Sequence, residues 1–430
     1  MPETSPEKTR EFALDVVRRL RAAGYEALWA GGCVRDRLLG RQPADYDVAT
    51  SATPDEVRQV FGPRRTLAIG AAFGVIVVRA PRGVLDVEVA TFRMDSPYSD
   101  GRHPDSVTFS NAKEDALRRD FTINGLFYDP IAEETIDYVG GQEDLAKGVV
   151  RAIGDPHQRI AEDKLRMLRA VRFVAKFDFD VDPDTLAAVT ECADELTVVS
   201  AERIATEMRR VLTLPGRVRG MRLLAQTGLL SVILPETEAW QSIDPSVELT
   251  SPSDAWQRVL MVLQELAEPT FSQAFATVTR ELAGENPAEV IGRRWRLSLE
   301  EIKRTKYLVT HEREIRRARD LPWPQLQRLL ITKPIKELLG FAEAIASVKD
   351  GTIAQVKYCR EKLAMPLTQL NPSPLIDGDD LVRKGFRPGP VFARILTAIR
   401  DAQLEGDVST VEQAMDMADQ LWQASQDPLV

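Results

Sequence analysis

The stretch GGCVRDRLLGRQPADYDVAT, residues 31–50, decides how the rest of the chain is interpreted. It opens with a glycine pair where a helix is predicted to begin. Glycine there lets phosphate oxygens approach backbone N–H groups and the positive end of the helix dipole. Asp45 and Asp47 follow, two residues apart, so that on a strand both carboxylates share one face. The stretch therefore combines a predicted phosphate cradle at Gly31 and Gly32 with a predicted metal pair.

The pair Asp45 and Asp47 suits a magnesium ion. Two carboxylates a few ångströms apart repel each other unless a cation lies between them. Mg²⁺ takes a few carboxylates and completes its shell with water and substrate phosphates, and such ions activate an attacking hydroxyl. Downstream, the alternation LDVEV at 85–89 puts Asp86 and Glu88 on one face of a predicted strand. We predict Glu88 as a third catalytic acid, with Asp86, or a merely solvent-facing strand, as the open alternatives.

Around this stretch, residues 1–150 mix helix and strand patterns, whereas strand patterns nearly stop after Gly154. Residues 75–79 and 84–89 are predicted to form a hairpin across a turn containing Pro81 and Gly83. The remainder is predicted to consist of helices interrupted by proline and glycine. These patterns indicate a small α+β head followed by a long all-helical part.

Composition narrows the class of protein. The 430 residues suggest several domains, and no apolar run is long enough to span a bilayer. The polar segment 1–10 lacks the apolar region of a secretory signal, so we expect a cytoplasmic protein. The three cysteines and three histidines are dispersed, which argues against disulfide frameworks, cysteine-rich zinc sites and histidine-based metal hydrolases.

The net charge of −9 conceals two basic runs, at 209–222 and 293–319. Either run could simply be a solvated helix face. Together, in one half of an acidic chain, they favour a surface that binds a phosphate backbone.

Residues 155–177 are predicted to form one helix, with Asp155 as its N-cap. On that helix Asp163 and Arg166, three residues apart, would share a face. An Asp accepts from the exocyclic NH₂ of cytosine or adenine while an Arg donates to the ring nitrogen beside it. Uracil and guanine have the opposite pattern and would leave buried polar groups unpaired. The alternative is a surface ion pair of little energetic weight.

The sequence resembles the bacterial-type (class II) CCA-adding tRNA nucleotidyltransferases and the related poly(A) polymerases. The resemblance covers about residues 25–175, in the family's order and near its spacing. The matching segments are GGCVRDRLLG at 31–40, PADYDVAT at 43–50, EVATFR at 88–93, DGR at 100–102, RRDFTIN at 118–124 and EDKLRMLRAVRF at 162–173. Less specific similarities occur around Glu202 and Arg203 and in the segment 375–406.

The resemblance implies a polymerase-β-like nucleotidyltransferase head over 1–150, then an all-α neck at 151–235, body at 236–330 and tail at 331–430. It implies Mg²⁺ on Asp45 and Asp47 and a neck that reads the incoming base. The implied reaction adds C, C and A from CTP and ATP to the 3′ end of tRNA, which the body and tail would bind.

The resemblance also implies a set of nucleotide-binding residues, in which Glu162 would hold Arg166 in place. The predicted set is Gly31, Gly32, Arg35, Asp100, Arg102, Arg119, Asp120, Asn124, Glu162, Asp163, Arg166 and Arg169. The chain departs from the family at His103, where Arg is frequent, and at Gly125, where Ala is frequent. We expect His103 to alter contacts around a loop and Gly125 only to loosen packing.

Other functions remain open from the sequence. An A-adding or C-adding tRNA enzyme or a poly(A) polymerase would share these motifs, although the stretch 67–78 lacks the arginine-rich pattern associated with bacterial poly(A) polymerases. A catalytically inactive RNA-binding protein would not need Asp45, Asp47, Asp163 and Arg166. A nucleotidyltransferase acting on small molecules would not need so long a helical half.

Overall fold

The computed structural model describes residues 5–70, 73–95, 107–240, 243–249 and 254–426. Its residues form two compact units, one drawn from 1–247 and 294–296 and the other from 248–293 and 297–430. Among the described residues, no helix is both long and apolar enough to traverse a bilayer.

The strands lie almost entirely in the N-terminal part of the first unit. They are β1 (Ala27–Ala30), β2 (Asp47–Thr50), β3 (Thr66–Gly70), β4 (Val75–Val78), β5 (Val87–Thr91), β6 (Arg93–Asp95), β7 (Val107–Phe109), β8 (Leu126–Asp129), β9 (Glu134–Asp137), β10 (Val149–Val150) and β11 (Asp180–Val181). Within the described ranges, seven of them form one sheet in the order β3-β4-β5-β2-β1-β8-β9. Only the pairing of β2 with β5 is parallel in that sheet.

The centre of the sheet is apolar. All four residues of β1 are buried, and the indole of Trp29 lies 4.7 Å from the ring of Tyr46 and 5.7 Å from that of Tyr128, centroid to centroid. Strands that are buried on both faces stabilise the fold by about 25 cal/mol for each Å² of apolar surface removed from water. This core fixes β2 in the middle of the sheet, and with it the position of Asp47.

Helices cover the sheet and then continue the unit. They are α1 (Pro6–Ala22), α2 (Gly32–Leu38), α3 (Pro54–Phe61), α4 (Ala112–Leu117), α5 (Gly141–Lys147), α6 (Pro156–Glu162), α7 (Arg166–Phe177), α8 (Pro183–Glu191), α9 (Ala201–Thr213), α10 (Arg217–Gln226) and α11 (Leu229–Ile233). The helix α7 packs against α9 and α10. Gly220 permits this close approach, because a Cβ there would lie 2.9 Å from Val211 Cγ1 and 3.2 Å from Ala175 Cβ.

The second unit is helical throughout its described residues. Its helices are α12 (Ala255–Glu265), α13 (Phe271–Arg280), α14 (Pro287–Arg294), α15 (Leu299–Ile315), α16 (Trp323–Leu330), α17 (Ile335–Lys349), α18 (Ala354–Leu363), α19 (Leu367–Leu370), α20 (Gly378–Arg383), α21 (Pro390–Glu405) and α22 (Val411–Gln426). Trp256, Phe275 and Phe341 are among its largest fully buried side chains. A separate cluster around Leu381 and Ile395 forms the core of the last three helices.

The predicted fold class, an α+β head followed by an all-α remainder, is confirmed by this architecture. The predicted antiparallel hairpin is present as β4 and β5. The sequence patterns predict neither β3 and β6 nor the two-residue strands β10 and β11. The finer division into head, neck, body and tail at 150, 235 and 330 stays a prediction.

Candidate active site

The acidic pair lies at the beginning of the central strand β2. Asp47 is its first residue and Asp45 precedes it by two. In the parallel pairing with β5, the register partner of Asp47 is Glu88. Asp45, Asp47, Asp86 and Glu88 all line one recess beside the sheet. Asp86 has a structural bond, because its carboxylate accepts from the backbone N–H of Ala80 at 2.8 Å, so the register favours Glu88 as the third acid.

The electrostatics at this place fit a cation. The pKa of Asp47 is raised to about 6 by lost hydration and by the charges of Asp45 and Glu88, against the opposing effect of Arg119. A divalent ion stabilises the ionised form of a carboxylate that lies among other carboxylates. In the described part of the chain, no three His, Cys, Asp or Glu side chains come together as a complete metal site. Asp45 and Asp47 would supply two donors to such an ion, with coordination positions left for water and substrate oxygens.

An open cavity of about 860 Å³ extends from the acidic pair to α7. It brings together most of the residues that the sequence singles out. Those lining it are Gly31, Gly32, Arg35, Asp45, Asp47, Arg119, Asp120, Asn124, Asp163, Arg166 and Arg169. Of the other predicted residues, Glu88 lines the adjoining recess and Glu162 bonds to Arg166, whereas Asp100 and Arg102, like His103, lie outside the described residues.

The floor of the cavity depends on Gly31. Its φ of +67° is costly for other residues, and a Cβ there would lie 2.9 Å from Arg119 Nη1. Arg119 Nη1 donates to the carbonyl of Asn124 at 3.3 Å, and Arg35 Nη1 donates to the Asn124 side-chain oxygen. The predicted cradle is therefore a place where two guanidinium groups lie directly against glycine backbone.

Asp120 fixes the next part of the wall. The Asp120 side chain is buried, with 8% of its surface exposed. Its carboxylate accepts hydrogen bonds from Asn124 Nδ2 at 3.0 Å and from Arg169 Nε at 2.7 Å. Burial alone would raise the pKa of Asp120, but the charge of Arg169 and these hydrogen bonds lower it to about 2. Asp120 is therefore a permanent anion that holds Arg169 at the cavity wall.

The single helix predicted over 155–177 is wrong. The chain forms α6 and α7 with a break at Asp163, whose backbone is extended with φ −146° and ψ 103°. Its carboxylate accepts from the backbone N–H of Leu165 at 3.1 Å, and such a local bond competes with helix continuation. Asp163 and Arg166 are consequently neighbours across the start of α7, not i and i+3 on one helix, and both still line the cavity.

Asp163 and Arg166 are each held by a partner. Arg166 Nη1 donates to Glu162 and, at 2.6 Å, to the carbonyl of Arg159, while Nη2 donates to the carbonyl of Arg118 at 3.3 Å. Asp163 Oδ2 accepts from Arg203 Nη2 at 2.7 Å. The contact of Glu162 with Arg166 has the geometry that the resemblance implies, and its role stays a prediction.

Several lining residues have no predicted role. Arg203 was noted only as part of a weak motif, and its pairing with Asp163 joins residues 40 positions apart. The others are Arg93, Arg118, Leu165, Arg172, Phe173, Lys176, Arg210 and Leu214. Most of them fall inside the quoted segments 88–93, 118–124 and 162–173. A broader selection within those segments would have found them.

Gly125 does not loosen the packing, contrary to expectation. A Cβ there would lie 2.7 Å from Val139 Cγ2 and 3.1 Å from Ile153 Cδ1. The neighbours have therefore closed over the position of the missing methyl group, directly behind Asn124.

Residues 27–151 match the family described as "Poly A polymerase head domain", and residues 178–241 match "Probable RNA and SrmB- binding site of polymerase A". The CCA-adding enzyme of Streptococcus gordonii is 31% identical over 422 residues, 95% of this chain and 97% of that protein. That of Geobacillus sp. strain WCH70 is 34% identical over 403 residues, 92% and 93% of the two chains.

A solved structure also matches along the whole chain. The Bacillus stearothermophilus CCA-adding enzyme in complex with CTP superposes with a TM-score of 0.74 and 28% identity, covering 98% of this chain and 99% of that one. Sequence similarity at this coverage, together with the acidic pair and the cavity between sheet and α7, leads to one conclusion: the chain belongs to the family of CCA-adding enzymes, nucleotidyltransferases with a poly(A) polymerase head domain.

Proposed function

We propose that the chain adds C, C and A, from CTP and ATP, to the 3′ end of tRNA without a template. The observation that carries this proposal is one cavity that has Asp45 and Asp47 at one place and Asp163 and Arg166 at another. Its volume of about 860 Å³ is of the size that holds a small ligand such as a nucleotide. The relatives named above carry the same activity in their names.

Asp163 and Arg166 are placed to choose the base. Each Asp163 oxygen makes one of the described bonds, so each retains a lone pair for the NH₂ of cytosine or adenine. The described bonds of Arg166 use three of its five N–H groups, which leaves donors for the ring nitrogen. Uracil and guanine would meet Asp163 with an acceptor, and unpaired polar groups would make their binding unfavourable.

In the reaction, the RNA 3′-hydroxyl loses its proton to solvent and its oxygen forms a bond to the α-phosphorus, while the bond from that phosphorus to the oxygen bridging to the β-phosphate breaks. Pyrophosphate leaves. The predicted triphosphate position is surrounded by Arg35, Arg119 and the backbone at Gly31. Because these groups are already fixed, they would stabilise the negative charge of the transition state without having to reorganise. Asp120 orients Arg169 in the same wall.

We assign Mg²⁺ to Asp45 and Asp47, since a divalent metal is typical of the family. When bound, Mg²⁺ would lower the pKa of the attacking hydroxyl and offset the charge of the pyrophosphate. Two carboxylates with water and phosphate oxygens form the ligand set that this ion prefers.

The proposal is tested with one tRNA that ends at the discriminator base, labelled CTP and ATP, and Mg²⁺. We expect growth by C, C and A and then a stop. No growth on this tRNA, with A added only to a second tRNA that already ends in C-C, would contradict CCA addition, as would growth by C alone; either outcome would identify a single-nucleotide relative. An open-ended A tail would identify a poly(A) polymerase.

A further inference from the structure

Most cations of the two basic runs are paired with acceptor groups of the same chain. In the run 293–319, Arg304 pairs with Glu337 at 3.1 Å, Lys306 pairs with Glu289, and Arg316 contacts both Glu312 at 2.7 Å and Asp350 at 2.8 Å. In the run 209–222, Arg219 pairs with Asp178 and Asp180, and Arg222 donates to two backbone carbonyls. Most of these cations therefore stabilise the fold, and the runs as such are weak indicators of a nucleic-acid surface.

Two cations of the second unit differ, because they lie on aromatic rings. The guanidinium carbon of Arg319 is 5.1 Å from the ring centroid of Tyr358. Lys362 Nζ is 5.4 Å from the same ring and 5.3 Å from that of Trp323. The described residues provide neither cation with a carboxylate within ion-pair distance. We call these four residues the ring surface.

The ring surface is held in place by the fold. Tyr358 and Lys362 lie one turn apart on α18, and Gln355 on the same stripe accepts from the backbone N–H of Arg319 at 3.0 Å. The neighbouring stripe of α18, at Val356 and Cys359, is buried. The cations are thus presented on a fixed, half-buried aromatic support.

This arrangement leaves hydrogen-bond donors available. A cation–π contact attracts the charge but satisfies no N–H group, so the ammonium and guanidinium retain donors for an anion. Two cations that share the ring of Tyr358 fit phosphate oxygens together with ribose or a base, the combination common in RNA-binding surfaces. An acidic peptide would use the charges but would gain less from the rings.

We propose that the ring surface binds the sugar-phosphate backbone of tRNA. The choice of tRNA rests on the function proposed above. Every residue that lines the nucleotide cavity belongs to the first unit, whereas all four ring-surface residues belong to the second. The ring surface should therefore influence affinity for tRNA and have no part in binding CTP or ATP.

The test uses the full chain with Arg319→Gln and Lys362→Gln combined. We expect the Kd for tRNA at about 0.1 M salt to rise about tenfold, and the slope of log K against log salt to fall by about 1.5, because roughly two phosphate contacts are lost. The control combines Lys303→Gln and Lys336→Gln, which removes the same charge from exposed residues of the same unit that contact no described aromatic ring. We expect less than a twofold change for it.

Further measurements separate the outcomes. With saturating tRNA, kcat and the KM for CTP should be unchanged in both double variants. Trp323→Leu keeps every charge and should weaken tRNA binding a few-fold through loss of the ring. Unchanged tRNA affinity in the Arg319 and Lys362 variant, or an equal loss in the lysine control, would overturn the ring surface as a binding site while leaving CCA addition intact. Wild-type protein that binds tRNA but adds no nucleotide would instead refute the proposed function.

Discussion

The cavity wall and the ring surface present arginine and lysine in opposite ways. In the cavity, Arg166 and Arg169 are fixed by Glu162 and Asp120, so their directions are set before any substrate arrives. On the ring surface, Arg319 and Lys362 rest on aromatic rings without a carboxylate among the described residues. A fixed donor can distinguish one base edge from another, whereas an unneutralised cation attracts any phosphate. We therefore expect the same residue types to serve base choice in one unit and backbone binding in the other.

The difference also explains why the number of positive charges in a segment is a poor indicator of a nucleic-acid-binding surface. The chain has a net charge of −9, and carboxylates hold most arginines of its basic runs. In the cavity, we propose that Glu162 and Asp120 contribute to recognition, since an arginine without a partner would have many orientations.

The largest expected effect comes from the acidic pair. Changing Asp47 to Ala, or Asp45 to Ala, should reduce nucleotide addition by more than about a thousandfold, because several kcal/mol of transition-state stabilisation depend on the metal they are proposed to hold. The measurement is single-turnover incorporation of CTP with Mg²⁺ present.

Thermal unfolding without metal provides the control. The pKa of Asp47 is raised to about 6, so its charged form is disfavoured in the folded protein at neutral pH. Removing it should leave the Tm equal or higher. Full activity in either variant, with an unchanged Tm, would contradict the metal assignment.

The next effect sharpens the cavity side of the comparison. Changing Asp163 to Ala should reduce discrimination against UTP by about 10- to 100-fold, the equivalent of one or two hydrogen bonds to a charged group. Affinity for tRNA should remain within about twofold. The measurement is the ratio of kcat/KM for CTP and UTP.

A second variant separates reading from positioning. Arg203→Met leaves Asp163 in place but removes the contact at 2.7 Å. It should lower kcat/KM for CTP and ATP together, by a few-fold, with Arg203→Lys restoring part of the loss. If the Asp163→Ala variant still discriminates fully against UTP, the base-reading role of Asp163 is refuted.

Asp120 tests whether the fixed wall also stabilises the fold. Its pKa of about 2 in the folded protein lies below the unfolded value of about 4, so its contribution of about 2 kcal/mol is present above pH 4 and is lost as the pH falls toward 2. Asp120→Asn should therefore be less stable than the wild type at pH 7, and the difference should shrink in acid.

Urea unfolding at pH 7, 4 and 3 measures this dependence, with Asp15→Asn, at an exposed position of α1, as the control. If the difference in unfolding free energy between wild type and Asp120→Asn stays constant down to pH 3, the carboxylate charge is not what stabilises this wall.

Sequence reasoning was most successful where spacing alone determines geometry. Asp45 and Asp47 line one recess because they are two residues apart where β2 begins, and the strand-like segment 46–49 predicts that strand. The all-helical second half follows from the absence of strand patterns. Here local rules and the tertiary structure agree.

It failed where a single side-chain contact decides, whether that contact is local or distant. The break at Asp163 depends on a side chain that bonds its own backbone two residues on, although the pattern from 155 to 177 has helical spacing. Arg203 reaches Asp163 from 40 positions away, and Arg319 meets Lys362 through Tyr358. No periodicity contains such pairings, because tertiary packing creates them.

The smallest expected effect concerns the apolar support behind the cavity wall. At Gly125 a Cβ would lie 2.7 Å from Val139 Cγ2 and 3.1 Å from Ile153 Cδ1, so the Val139 side chain must shift to admit it. Gly125→Ala should therefore cost about 1 kcal/mol of stability, the lower end of overpacking effects. Combining it with Val139→Ala should recover most of that loss if the clash is its cause. Because Asn124 precedes Gly125 and bonds Arg35 and Asp120, the single variant should also raise the KM for CTP about twofold while tRNA affinity stays the same. An unchanged KM, measured beside an unfolding curve that shows the loss of stability, would mean that the fixed wall does not depend on the packing behind it.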